Sequence, residues 1–238
     1  VLSPNPSRSD PPGPAPLPPA FPPDRLADYL DGTSGLPPRE LLLSGLALGG
    51  WTAEAGANDA ELGRLNALDL GCGPGREAVV LLQRGFCVRA VDPYRSMLDA
   101  TSRAVMEHAP SRIGRLRLDC ARIEELAPTL PRAEFDLVHA GFVLPFVESA
   151  LFADAFRAIA ASMREGGVFV GQFFGPDDQF VREATPGAMT SHTREEVDAI
   201  LRANALVALH SEEARRDGKI GRGRSKFWHV HHVIARRS

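Results

Sequence analysis

Apolar and polar positions along this chain follow two different periods. Between Arg25 and Gly50 the apolar residues recur at helical spacing: Leu26, Tyr29 and Leu30, then Leu41, Leu42 and Leu46 after Pro37-Pro38. Two short helices are predicted there, either packed on the sheet or laid over a ligand as a lid. From Leu65 onward, short runs of β-formers alternate with helical patterns, which predicts a parallel sheet covered by helices on both faces, an α/β fold. Strands are expected at 65–70, 87–91, 115–119, 135–140, 167–174, 206–211 and 227–235. Helices are expected at 76–84, 95–108, 149–164 and 194–203, with a shorter one near 122–126. Thr193 with Glu196, and Ser96 with Asp99, have the spacing of capping boxes.

Three units follow. Residues 1–24 are crowded with proline and poor in apolar side chains, so they read as a disordered tail. Residues 25–64 carry the two helices and end in a linker, Gly56 to Gly63. Residues 65–238 form the main domain. The stretch from Glu212 to Lys219, with glycines at 221 and 223, reads as a solvated hairpin loop between the last two strands.

Composition narrows the function without naming it. A 238-residue chain that is 44% hydrophobic and 24% charged is an ordinary globular protein with one sizeable core. The net charge of −3 offers no electrostatic footprint for nucleic acid or an anionic membrane. Cys72, Cys87 and Cys120 are odd in number and lack metal-ligand spacing, which argues against disulfides and zinc and for a reducing compartment. No run is long and apolar enough to span a membrane, and no leader-like segment opens the chain, so a cytoplasmic location is expected.

The chemistry concentrates where the first strand of the domain enters a glycine-rich turn, Leu68-Asp69-Leu70-Gly71-Cys72-Gly73-Pro74-Gly75-Arg76. Glycines there let backbone approach a ligand, and the following helix N-terminus suits an anionic group. About twenty residues beyond Gly71 the second strand ends at Asp92, where a carboxylate can accept from both hydroxyls of a ribose. A third strand ends at Asp119-Cys120, placed to accept from the exocyclic amine of adenine. An adenosine-containing cofactor is implied. The dinucleotide fingerprint would put Gly or Ala at position 76, where this chain has Arg76, so the turn suits a single carboxylate better than a pyrophosphate.

This turn resembles motif I of the class I S-adenosylmethionine-dependent methyltransferases. Ala90-Val91-Asp92, Leu118-Asp119-Cys120, Phe135 to Ala140, and Met163 to Gly167 are similar to later motifs in the same order. Gly71 to Ala78, Gly171 to Gly175 and Phe227 to His232 further resemble a tellurite-resistance-like bacterial branch. The resemblance implies a Rossmann-like, doubly wound, mostly parallel seven-stranded sheet with the last strand antiparallel. It also implies S-adenosylmethionine as cofactor: Asp69, Gly71, Cys72 and Gly73 at the methionine part, Asp92 at the ribose, Pro93, Met97, Asp119 and Cys120 at the adenine, and Ala140 lining the site.

Methyl transfer from an activated sulfonium needs chiefly alignment and exclusion of water, so no catalytic residue is assigned. His139, Glu148, His192 and, as an orienting amide, Gln172 are the candidates if a base is required. A histidine at position 139 is more often satisfied by backbone hydrogen bonds than free to act as a base. His229 and His231 share one face of the last strand and His232 the other, which without Cys or clustered carboxylates is more often packing than a metal site. Phe142, Pro145 and Phe146 suggest an apolar acceptor pocket. The expected partner is a small-molecule acceptor, with neither nucleic acid nor membrane. The competing readings are a catalytically silent cofactor-binding domain in an assembly and a nicotinamide-dependent oxidoreductase.

Overall fold

A computed structural model of the chain describes residues 23–52 and 65–238. The expected tail lies outside the described residues up to position 22, as does the whole Gly56–Gly63 linker.

Seven strands form one sheet: β1 (Asn66–Leu70), β2 (Cys87–Asp92), β3 (Leu116–Cys120), β4 (Phe135–Ala140), β5 (Met163–Phe174), β6 (Leu206–Lys219) and β7 (Ser225–Arg237). Their order is β3-β2-β1-β4-β5-β7-β6. The first five pair in parallel, and β7 runs antiparallel to both β5 and β6. Strand order reverses between β1 and β4, and such switch points place ligands at the C-terminal strand ends. The glycine-rich turn, Asp92 and the loop after Ala140 all lie on that edge.

The helices are α1 (Pro23–Thr33), α2 (Glu40–Leu48), α3 (Arg76–Gln83), α4 (Arg95–His108), α5 (Ile123–Leu126), α6 (Ser149–Ser162), α7 (Gln179–Glu183) and α8 (Arg194–Ala203). One sheet face buries Phe152 and Phe156 of α6 and Val197 and Leu201 of α8 against Phe169 and Phe173. The other packs Leu81 and Leu82 of α3, Val105 of α4 and Leu42 and Leu46 of α2 around Phe86. The close seat of α2 depends on Gly45, where a Cβ would stand 2.3 Å from the Val170 side chain. Among the described residues no helix is long and apolar enough to cross a membrane.

Two local expectations need correction. Residues 212–219 are strand and not loop: β6 pairs with β7 from Leu206 through Lys219, and the turn is confined to 220–224. As the last strand in the sheet order, β6 carries the mixed charges that discourage edge-to-edge association, and this solvated edge was mistaken for a loop. The Ser96–Asp99 capping box does not form. The helix starts at Arg95 with Tyr94 as its N-cap, because the Asp92 carboxylate accepts from the Tyr94 N–H at 3.0 Å and turns the chain earlier. The Thr193–Glu196 box is present in both directions, at 3.3 and 2.8 Å.

Candidate active site

The turn between β1 and α3 is held open by groups that a side chain at its glycines would displace. Gly71, Gly73 and Gly75 all have positive φ. At Gly75, φ is +89° and an added Cβ would lie 2.7 Å from the Thr101 Cα, so α3 and α4 can approach only across a glycine. Thr101 fastens the turn from the other side by donating to the Gly73 carbonyl at 2.8 Å. Asp92 closes it: its second carboxylate oxygen accepts from the Gly73 N–H at 3.1 Å. With one lone pair on each oxygen taken by backbone, a second on each remains for a ligand. Burial raises the Asp92 pKa to about 6, against the lowering effect of its two backbone donors.

Beneath the turn lies a chain of buried polar groups. Asp69 is fully buried, with one oxygen 2.7 Å from His139 Nδ1 and the other without a partner. Burial pushes its carboxyl up, while the His139 hydrogen bond pulls the other way. His139 is thus satisfied by a carboxylate where backbone groups were expected. Glu77 lies 2.8 Å from both Arg39 and Arg76. Burial alone would push the Glu77 carboxyl up, but Arg39, His139 and Arg76 together hold it below its ordinary value. Arg76 also donates to the Pro37 carbonyl, so it ties the turn to the α1–α2 connection.

A cavity of about 590 Å³ opens at this edge. Gly71, Gly73, Asp92, Pro93 and Met97 line one end, which brings together five of the ten residues expected at the cofactor. The others are placed around it. Cys72 is buried with its thiol 3.5 Å from Thr101 Oγ1, and burial pushes that thiol well up, ahead of the charges of Asp69 and Asp92. Ala140 is buried in the core, and the exposed Cys120 sets its thiol 3.5 Å from the Pro93 carbonyl. The Asp119 carboxylate is engaged by Arg89 and Arg117 and does not line the cavity.

At the other end stand Phe142, Phe146, Phe174, Phe180 and Trp228. Phe142 has a positive φ of 59°, uncommon for a bulky residue, and its N–H donates to the buried Gln172 amide oxygen at 3.1 Å. Gln172 therefore orients backbone. The Lys226 ammonium packs on the rings of Phe180, Trp228 and Phe174 at 4.0, 4.0 and 4.5 Å, paired with the buried Asp178. Leu26, Tyr29 and Gly32 of α1 line the cavity together with Ile220 to Arg224 of the hairpin turn. The two segments meet where the Arg222 N–H donates to the Gly32 carbonyl at 3.0 Å. Of the two roles open to the N-terminal helices, packing thus falls to α2 and a covering position to α1.

Among the base candidates, none lines the cavity. His192 packs on Phe152 and Phe173, and burial lowers its pKa to about 4. His229 and His231 are buried on one face as expected, but Glu213 joins them: its carboxylate lies 2.8 Å from His229 Nε2. That carboxylate was hidden by reading residues 212–219 as a loop. Tyr29 lies on a helix for which a lid role was open, whereas sequence reasoning did not assign Phe174, Phe180 and Trp228 to the pocket; they come from three separate elements. Only the period-two position of Trp228 on the last strand pointed inward.

Residues 67–167 match the methyltransferase domain family. No curated protein sequence matches the chain. Similar solved structures include TehB from Haemophilus influenzae, at a TM-score of 0.59 and 15% identity over 73% of this chain; the match spans only 57% of TehB. A second is 1,6-didemethyltoxoflavin-N1-methyltransferase from Burkholderia thailandensis, crystallised with 1,6-didemethyltoxoflavin and S-adenosylhomocysteine. It aligns at a TM-score of 0.55 and 22% identity over 95% of this chain and 94% of its own. A third is magnesium protoporphyrin IX methyltransferase from Synechocystis PCC 6803 with bound S-adenosylmethionine, at 0.53 and 17% over 82% and 78%.

Proposed function

We propose that this chain, whose residues 67–167 match the methyltransferase domain family, binds S-adenosylmethionine and methylates a small-molecule acceptor. One observation carries the reading: a single cavity has a glycine turn and a buried carboxylate at one end and an aromatic chamber at the other. Its volume falls in the range typical of small-molecule sites. A neighbour that holds a small heterocycle together with the demethylated cofactor, and aligns over nearly the whole chain, supports it.

The residues present fit the cofactor. Asp92 retains acceptor capacity for a ribose diol, and Pro93 and Met97 offer an apolar wall for adenine. The unpartnered Asp69 oxygen and the backbone of Gly71, Cys72 and Gly73 face the methionine end in this reading, with Cys120 near the adenine, Asp119 held away from it by Arg89 and Arg117, and Ala140 beneath the site. When bound, S-adenosylmethionine supplies an activated sulfonium methyl. The protein's part is to hold the acceptor in line and exclude water, through α1, the hairpin turn and the aromatic walls. Three free thiols accord with a reducing cytoplasm.

Calorimetric titration with S-adenosylmethionine, S-adenosylhomocysteine and NADH, followed by transfer of labelled methyl into a metabolite extract, tests the proposal. Label in low-mass products supports it. Cofactor binding with no labelled product points to a silent binding domain, and tighter binding of NADH overturns it.

A further inference from the structure

Seven of the twenty-two residues lining the cavity are aromatic, in a chain that is only 7% aromatic overall. Phe142, Phe174 and Trp228 stand edge to face, with centroids 5.4 to 6.2 Å apart, and Phe146 and Phe180 extend the same wall. Trp228, Phe142, Phe146 and Phe180 are only partly buried, so their rings present area to the cavity. Such walls favour flat, polarizable ligands over saturated ones of equal size.

The acceptor end is also poor in groups that could remove a proton. Among the described residues no histidine lines the cavity, and its carboxylates are Asp92 at the cofactor end and Asp28 and Asp31, both exposed on α1. Lys226, behind the rings, is already paired with Asp178. The acceptor atom must therefore carry a free lone pair at neutral pH.

Resting on the methyltransferase reading above, we infer that the acceptor is a planar N-heteroaromatic compound methylated at a pyridine-type ring nitrogen. The nitrogen lone pair forms the new N–CH₃ bond as the S–CH₃ bonding pair stays on sulfur. No proton is released, and the positive charge passes from the sulfonium to the ring.

The test begins with S-adenosylhomocysteine, whose binding is measured first so that a failed cofactor reading shows itself separately. The loaded protein is then titrated calorimetrically with isoquinoline, quinoxaline and pteridine, and with decahydro-2-naphthol as the uncharged saturated counterpart. At least one aromatic probe should bind about tenfold more tightly than the saturated ring, and Trp228→Leu should lose about tenfold in that affinity while keeping its affinity for S-adenosylhomocysteine. With S-adenosylmethionine, the bound probe should yield its N-methyl cation, detected by mass, and Asp28→Asn with Asp31→Asn should leave the pH profile unchanged. Equal affinity for saturated and aromatic rings would overturn the inference, as would loss of a pH-rate limb in the Asp28/Asp31 double variant.

Discussion

If Asp92 holds the cofactor's ribose as proposed, it couples cofactor binding to pH in a direction that can be worked out from its surroundings. The side chain is 6% exposed, and burial, with a contribution from the nearby Asp69, takes its pKa from 3.8 to about 6. That difference corresponds to roughly 3 kcal/mol disfavouring the folded, ionised form at neutral pH. Since the folded value is the higher one, Asp92 favours the fold fully below pH 3.8 and this contribution is lost as pH rises through about 6. Cofactor affinity runs the other way, because ribose hydroxyls donate best to the ionised carboxylate. At pH 5 only about one site in ten would be ionised, so affinity for S-adenosylhomocysteine should be about tenfold weaker than at pH 8. Asp92→Asn should abolish that step and bind about ten to a hundred times more weakly at pH 8. Its melting temperature without ligand should change by only a few degrees, since removing the buried charge is offset by turning an amide NH₂ toward the N–H of Gly73 or Tyr94. The assay is calorimetry at half-unit pH steps on both proteins. A wild-type affinity flat from pH 5 to 8, or equal affinities for the two proteins, would refute the assignment of Asp92.

Other substitutions separate structural from binding roles. Gly75→Ala puts a methyl 2.7 Å from the Thr101 backbone at a positive φ, and thermal melts should show destabilisation of about 2 kcal/mol or more with weakened cofactor binding. Thr193→Ala removes one half of a capping box and should cost about 1 kcal/mol in urea unfolding while leaving cofactor affinity intact. Arg39→Met strips the buried Glu77 of its strongest partner and should destabilise by about 3 kcal/mol, an effect that restoring neutrality with Glu77→Gln should largely relieve. Because the Glu77 pKa is depressed, its contribution is present above the ordinary carboxylate range and lost as pH falls, so the Arg39→Met penalty should shrink in acid.

Much of the sheet was legible because each strand follows its own short-range pattern. All seven strands and the helices α3, α4, α5, α6 and α8 start close to where periodicity placed them, with β6 running on to Lys219 and α7 unforeseen, and the glycine turn with Asp92 could be read from spacing alone. What could not be read depends on distant partners. The pairing of His139 with Asp69 joins β4 to β1, and the Arg39–Glu77 contact joins α2 to α3. Position 119 looked available for adenine until Arg89, on the neighbouring strand, was seen to engage its carboxylate. The aromatic chamber was legible only in part, at Phe142 and Phe146; Phe174, Phe180 and Trp228 are scattered along the chain and join them only once β7 inserts between β5 and β6.

The division of the cavity has an evolutionary consequence. Every residue at its cofactor end belongs to the segment 67–167 that matches the methyltransferase domain, whereas Phe174, Phe180, Ile220 to Arg224 and Trp228, with Leu26 and Tyr29, lie outside it. In the proposed reading, selectivity can therefore drift by replacing the β6–β7 hairpin and α1 as a cassette, without disturbing the proposed methyl-donor socket. Grafting residues 206–238 between homologous scaffolds would exchange Trp228 and the hairpin turn at once, so new acceptors are reachable by recombination of this hairpin as well as by stepwise point mutation.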